Sequence, residues 1–126
     1  PASSAASDVY KRQSKNLRNR KKLLLDNALR INDTNVTTAW SNMKSNASML
    51  ESVKLQVRAA QIANEGITAE YESGKGRSTL DVIQSNSILL NSQISLANSE
   101  REFLLSKFKL LQSVGILSAD HLGFNN

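Results

Sequence analysis

The chain has 126 residues, 40% of them hydrophobic and only 5% aromatic, so it holds one domain at most and any core is built from Leu, Ile, Val and Ala. One proline, five glycines and no cysteine leave little room for a loop-rich or all-β fold, and they exclude a disulfide framework and a thiolate zinc site. The formal net charge is +5, and no run approaches the roughly 18 apolar residues of a membrane-spanning helix.

Residues 1–13, PASSAASDVYKRQ, differ in character from the rest of the chain. The piece from Asp8 to Gln13 resembles the translation of a transposon-end adapter. On that expectation the leader is non-native, the true beginning of the reading frame is missing, and residues 1–13 stay outside fold reasoning. Just beyond lies the only dense basic cluster, Lys15, Arg18, Arg20, Lys21 and Lys22. It has no interleaved aromatics on which bases could stack, so nucleic acid is not an expected partner. A solvated helix end and a contact with anionic lipid headgroups are the two readings it leaves.

From Leu25 a heptad runs through Leu29, Asn32, Val36, Ala39, Met43, Asn46, Leu50, Val53, Val57, Ala60, Asn64, Ile67 and Tyr71. Eleven of these fourteen positions are apolar and the other three are all asparagine, a residue that costs stability on such a seam and helps to fix register. The pattern predicts one helix over 14–72, on the order of 85–90 Å long. A side stripe of Val36, Trp40, Met43 and Ala47 points to Trp40 packing between helices. Gly66 lies inside this helix, either as a tolerated irregularity or to allow close helix approach.

The predicted helix ends at a turn over 73–78, where Gly74 and Gly76 let the backbone reverse. A returning helix is expected over 79–114, with its main seam at Leu80, Ile83, Ser87, Leu90, Ile94, Ala97, Arg101, Leu104, Phe108 and Leu111. Beside it runs a second stripe, Leu89, Leu96, Phe103 and Leu110. Ser78 and Asp81 have the spacing of a capping box, and Arg77 and Lys75 read equally as solvated turn cations. Gly115 is the expected stop, followed by a tail over 115–126 in which Ser118 caps a short final turn.

These features describe an all-α fold, a long antiparallel coiled-coil hairpin. Its apolar arcs are wider than two helices can bury against each other, so it needs further helices. An enzyme is not expected: the single histidine, His121, stands alone in the tail, and there is no phosphate loop, metal spacing or paired carboxylate. No cofactor or metal is implied. Composition and periodicity reach only this hairpin that wants more helices; the resemblance given below implies a channel subunit, and its alternative is a free-standing hairpin serving as an adaptor or scaffold of a periplasmic assembly. Alternating amphipathic strands encoded just before Ser14 would mark the first, and a lipoyl-like or barrel domain flanking the hairpin would mark the second.

The order of motifs resembles one family. A Val-x-x-Ala-Trp segment, Val36 to Trp40, leads along the helix to Tyr71, the glycine turn, Arg77 and Thr79-Leu-Asp-Val82. The return helix then ends in Ser113-Val-Gly-Ile-Leu117 and Asp120-His-Leu122. From Lys15 to Phe124 this is similar to the second structural repeat of the TolC family of outer-membrane channel-tunnels. The resemblance implies a homotrimer whose subunits share an outer-membrane β-barrel, with its strands in the missing part of the chain, and cross the periplasm as a helical tunnel. It implies docking to a periplasmic adaptor and an inner-membrane pump, or to an ABC transporter in type I secretion. It also implies that Tyr71 and Arg77 hold the tunnel entrance shut. Asp81 would face the pore, where three carboxylates repel one another and raise their own pKa values. Ser73, Gly74, Lys75 and Gly76 would form the partner-docking turn. Two departures stand out. The span from Tyr71 to Arg77 is one residue longer than in the family pattern, and Gln84 occupies the place of a second acidic ring. The triplet Ser73-Gly74-Lys75 also differs from the Val-Gly-Thr or Val-Gly-Leu of drug-pump partners, which leans the resemblance toward type I secretion.

Overall fold

The computed structural model describes residues 2–123; Pro1 of the expected leader and residues 124–126 of the expected tail lie outside the described residues. Two helices account for nearly all of the described chain: α1, Ala2–Glu72, and α2, Thr79–Leu122. They pack together as an antiparallel hairpin. Two compact units divide the chain, one of Ala39–Leu111 and one of Pro1–Thr38 with Gln112–Asn126.

In the unit over 39–111, the sheltered face of α1 is Ala39, Met43, Asn46, Leu50, Val53, Val57, Ala60, Asn64 and Ile67, the heptad that the sequence predicts. Its tightest points are Ala39, Leu50 and Val53. The heptad's last member, Tyr71, is exposed rather than closing a core.

On α2 the structure corrects the expected seam. Leu80, Ile83, Leu90, Ile94, Leu104, Phe108 and Leu111 are all more than half exposed. The sheltered line is Val82, Ser85, Leu89, Ser92, Leu96, Ser99, Phe103, Ser106 and Leu110. Large apolar residues and serine alternate along it, and Ser85 and Ser106 are each only 5% exposed. The Asn64 amide donates to Ser85 Oγ at 3.1 Å across the seam, which fixes the register. Carried along the antiparallel pair, that register sets Val57 opposite Ser92, Leu50 opposite Ser99 and Met43 opposite Ser106. It likewise sets Leu89 opposite Ala60 and Leu110 opposite Ala39. In these five layers a large side chain meets a small one, which lets helices interdigitate at close range; the same register sets Val53 opposite Leu96 and Ile67 opposite Val82, so apolar pairs alternate with these layers.

Two further features of this unit are narrowed within the single chain. Trp40 is 50% exposed, with the Lys44 ammonium 6.0 Å from its ring centroid, so it does not pack between α1 and α2. A Cβ added at Gly66 would meet nothing within 4 Å, so no close helix approach explains that glycine within the chain.

In the other unit, α1 is helical from Ala2 rather than from residue 14. Its side chains from Ser3 to Ala28 are exposed, apart from the half-buried Ser14. Leu25, the first member of the predicted heptad, is exposed with them. Leu29, Asn32 and Val36 on α1 are half-buried, as are Ser113, Leu117 and Ala119 on α2. The expected stop at Gly115 is absent, and Ser118 lies inside the helix rather than at a cap. Gly115 keeps a negative φ, whereas Gly123, with φ of 72°, supplies the left-handed residue that ends α2. No helix among the described residues is long and apolar enough to cross a membrane.

Candidate functional site

The corner over 73–78 belongs wholly to the 39–111 unit, and it joins the two arms through Arg77 and Glu70, with Tyr71 and Thr79 meeting beside it. α1 ends in a Schellman motif. The Lys75 amide donates to the Glu70 carbonyl at 2.9 Å and the Gly74 amide to the Tyr71 carbonyl at 3.2 Å. Gly74 at φ 73° and Gly76 at φ 84° occupy the left-handed region, where a Cβ would be strained although nothing lies within 4 Å of it. The amide and hydroxyl of Ser73 close the last turn by donating to the carbonyls of Ala69 and Glu70.

α2 begins with a reciprocal capping box. The Ser78 amide donates to Asp81 Oδ2 at 2.9 Å, and the Asp81 amide donates to Ser78 Oγ at 3.2 Å. The Ser78 backbone bond first, and its hydroxyl second, hold the Asp81 carboxyl below the usual carboxylate range. Within the single chain, Asp81 thus experiences the opposite influence to the mutual repulsion implied for a ring of three.

Arg77 pairs with Glu70, its Nε lying 2.6 Å from Glu70 Oε2. The hydrogen bond to Glu70, and then the charge of that carboxylate, hold the Arg77 guanidinium above its ordinary pKa; Asp81 contributes least. Tyr71 and Thr79 face each other with their hydroxyls 3.2 Å apart. A groove of about 250 Å³ opens beside the corner, with Ile67, Arg77, Asp81, Gln84 and Ile88 among its lining residues.

The residues singled out in the sequence, Tyr71, Ser73, Gly74, Lys75, Gly76, Arg77 and Asp81, therefore lie on one short corner, yet their polar bonds go to different partners. Sequence reasoning missed the bonds of Glu70 and Thr79; it placed Asn64 on the seam as a register-fixing asparagine but did not identify its partner Ser85. Glu70 was recoverable. Once Gly74 is the left-handed residue and Ser78 the cap, the last turn of α1 stands across from residue 77. Asn64 adds a second bond across the hairpin, 2.7 Å to Asn86 Oδ1.

Chemically, the corner offers exposed charge and hydrogen-bonding groups on a stiff, well-capped turn. It has no paired nucleophile and base, and no cluster of three or more metal-type ligands occurs among the described residues.

The chain is similar to two curated proteins. It is 31% identical over 88 residues to the outer membrane efflux protein BepC of Brucella suis biovar 1 (strain 1330), a match covering 70% of this chain and 19% of that protein. It is 27% identical over 92 residues to the outer membrane protein TolC of Escherichia coli (strain K12), covering 72% and 18% respectively. The matched part thus spans about a fifth of the length of these relatives. No family model matches the chain, and no solved structure matches it significantly.

Proposed function

The chain belongs to the TolC family of outer-membrane efflux proteins, and from that premise we propose that it forms one tip-bearing hairpin of a tunnel wall in the periplasm. The family consists of channels rather than enzymes. The observation that carries the reading is the outward face of α2, where Leu80, Ile83, Leu90, Ile94, Leu104, Phe108 and Leu111 stay exposed. A row of this kind calls for further helices to cover it, and neighbouring helices in a wall supply them.

In this reading three copies enclose the conduit, and the corner lies at the entrance. Arg77 and Tyr71 hold it shut through charge-assisted and hydroxyl hydrogen bonds to neighbouring hairpins. Asp81 faces the lumen and favours cations. Ser73, Gly74, Lys75 and Gly76 meet a periplasmic adaptor and, behind it, an inner-membrane pump or an ABC transporter. The Ser-Gly-Lys triplet favours type I secretion over drug efflux.

Single-channel recording on the full-length protein tests the gate. Substitution of Arg77 or Tyr71 is expected to raise conductance, and Asp81→Asn to reduce cation preference. Unchanged conductance and selectivity would leave these residues with turn and cap roles only.

A further inference from the structure

Arg77 reaches Glu70 through Nε, and its other guanidinium nitrogens make no hydrogen bond to a described residue. A guanidinium held by Nε still presents its Nη edge, the planar fork suited to a carboxylate or a pair of carbonyls. Glu70 sits in the last turn of α1, and Arg77 immediately precedes the cap of α2. The ion pair therefore ties the two arms of the corner together and fixes where the cation stands. Asp81, the other nearby carboxylate, is committed to Ser78 and leaves Arg77 to Glu70. Side-chain exposures of 42% for Arg77 and 45% for Glu70 keep the pair open to a neighbouring molecule.

We propose that Glu70 is a positioning residue: it holds Arg77 by Nε on its own hairpin and leaves the Nη edge to bond an acceptor on a neighbouring copy. This rests on the gate reading and adds to it a residue seven positions away from the cation it controls. A long arginine free to sweep solvent loses rotamer entropy when it docks; one already tethered has lost part of it.

Two measurements test the proposal. In the full chain, solvent exchange of the Arg77 Nε proton, followed by NMR, is expected to accelerate by about twofold to fivefold in Glu70→Gln, the range for exposed charge pairs. Glu70→Asp is expected to restore part of the protection. Glu51→Gln, which removes the exposed Glu51–Lys54 pair elsewhere on α1, is expected to change nothing. Equal Nε exchange in Glu70→Gln and the parent chain would overturn the proposal whatever the gate does.

In the full-length channel, Glu70→Gln is expected to raise the open-to-closed ratio by about twofold to fivefold. It is expected to add nothing further in an Arg77→Gln background, because its effect passes through Arg77. Lower conductance in Glu70→Gln would make Glu70 a competitor for Arg77 and overturn the proposal. A full additional effect in the Arg77→Gln background would overturn it as a merely structural contribution. No response to Arg77→Gln would instead sink the gate reading itself, and the proposal with it.

Discussion

The two faces of α2 differ in a way that runs against simple hydrophobicity. The inward face alternates serine with Val, Leu and Phe, whereas the outward face carries the denser set of large apolar side chains. The less apolar face is the one that packs. Against α1 volume matters in alternate layers: the register of Asn64 and Ser85 sets serine opposite Met43, Leu50 and Val57 and alanine opposite Leu89 and Leu110, between apolar layers such as Val53 with Leu96. A face of large residues throughout could not approach α1 as closely, and overpacking costs energy as cavities do. The hairpin therefore closes through size complementarity and leaves its greasier face over. Burying a large apolar side chain fully yields about 1.5–3 kcal/mol, so the outward row represents a substantial unused drive toward assembly.

Exchanging volumes across the seam separates the two faces. Ser106→Leu is expected to destabilise the hairpin by about 1–3 kcal/mol through overpacking against Met43. Met43→Ala in the same chain is expected to recover most of that loss, and Ser106→Ala to stay close to the parent. On the outward face, Leu104→Ser is expected to change stability by less than about 0.5 kcal/mol. Denaturant titrations of the full chain followed by circular dichroism check all four. A Leu104→Ser loss as large as that of Ser106→Leu would reverse the assignment of the two faces.

A smaller effect separates the corner from the seam. Ser78→Ala is expected to cost about 1 kcal/mol by removing the cap of α2. The folded-state pKa of Asp81 lies below its ordinary value of about 3.9. Its contribution is therefore fully present above the ordinary carboxylate range and is lost as pH falls through the depressed value. Acid titration of Asp81→Asn is expected to lack that component, while the seam variants retain it. An identical acid profile in Asp81→Asn would contradict the capping geometry.

The fold was legible where a single signal dominated. On α1 one heptad outweighed the rest, and the seam from Leu29 to Ile67 followed from it. On α2 two apolar stripes competed, and counting apolar residues favoured the outward one. The decisive signal was a serine every seven residues from Ser85 to Ser113, which apolar scoring discards. The helix ends show the same contrast between local and contextual information. Gly74, with Ser78 and Asp81 after it, is punctuated by both a stop and a start. Gly115 carries only a residue preference, and α2 passes through it to Gly123. At the corner, Arg77 and Asp81 stood out by charge and spacing. Glu70 did not, because its importance arises only after the turn has brought it across from Arg77. Trp40 shows a related limit. Its place beside the heptad suggested packing between helices, yet within the hairpin it stays half exposed with the Lys44 ammonium near its ring.

The outward face of α2 also supplies the most direct measurement. Because the chain contains no cysteine, Leu90→Cys gives a single reactive site on that face. Maleimide labelling is expected to be rapid in the 126-residue chain alone and strongly suppressed in the assembled full-length protein in the outer membrane. Equally rapid labelling in both would mean that nothing covers this face, and the tunnel-wall account would fail.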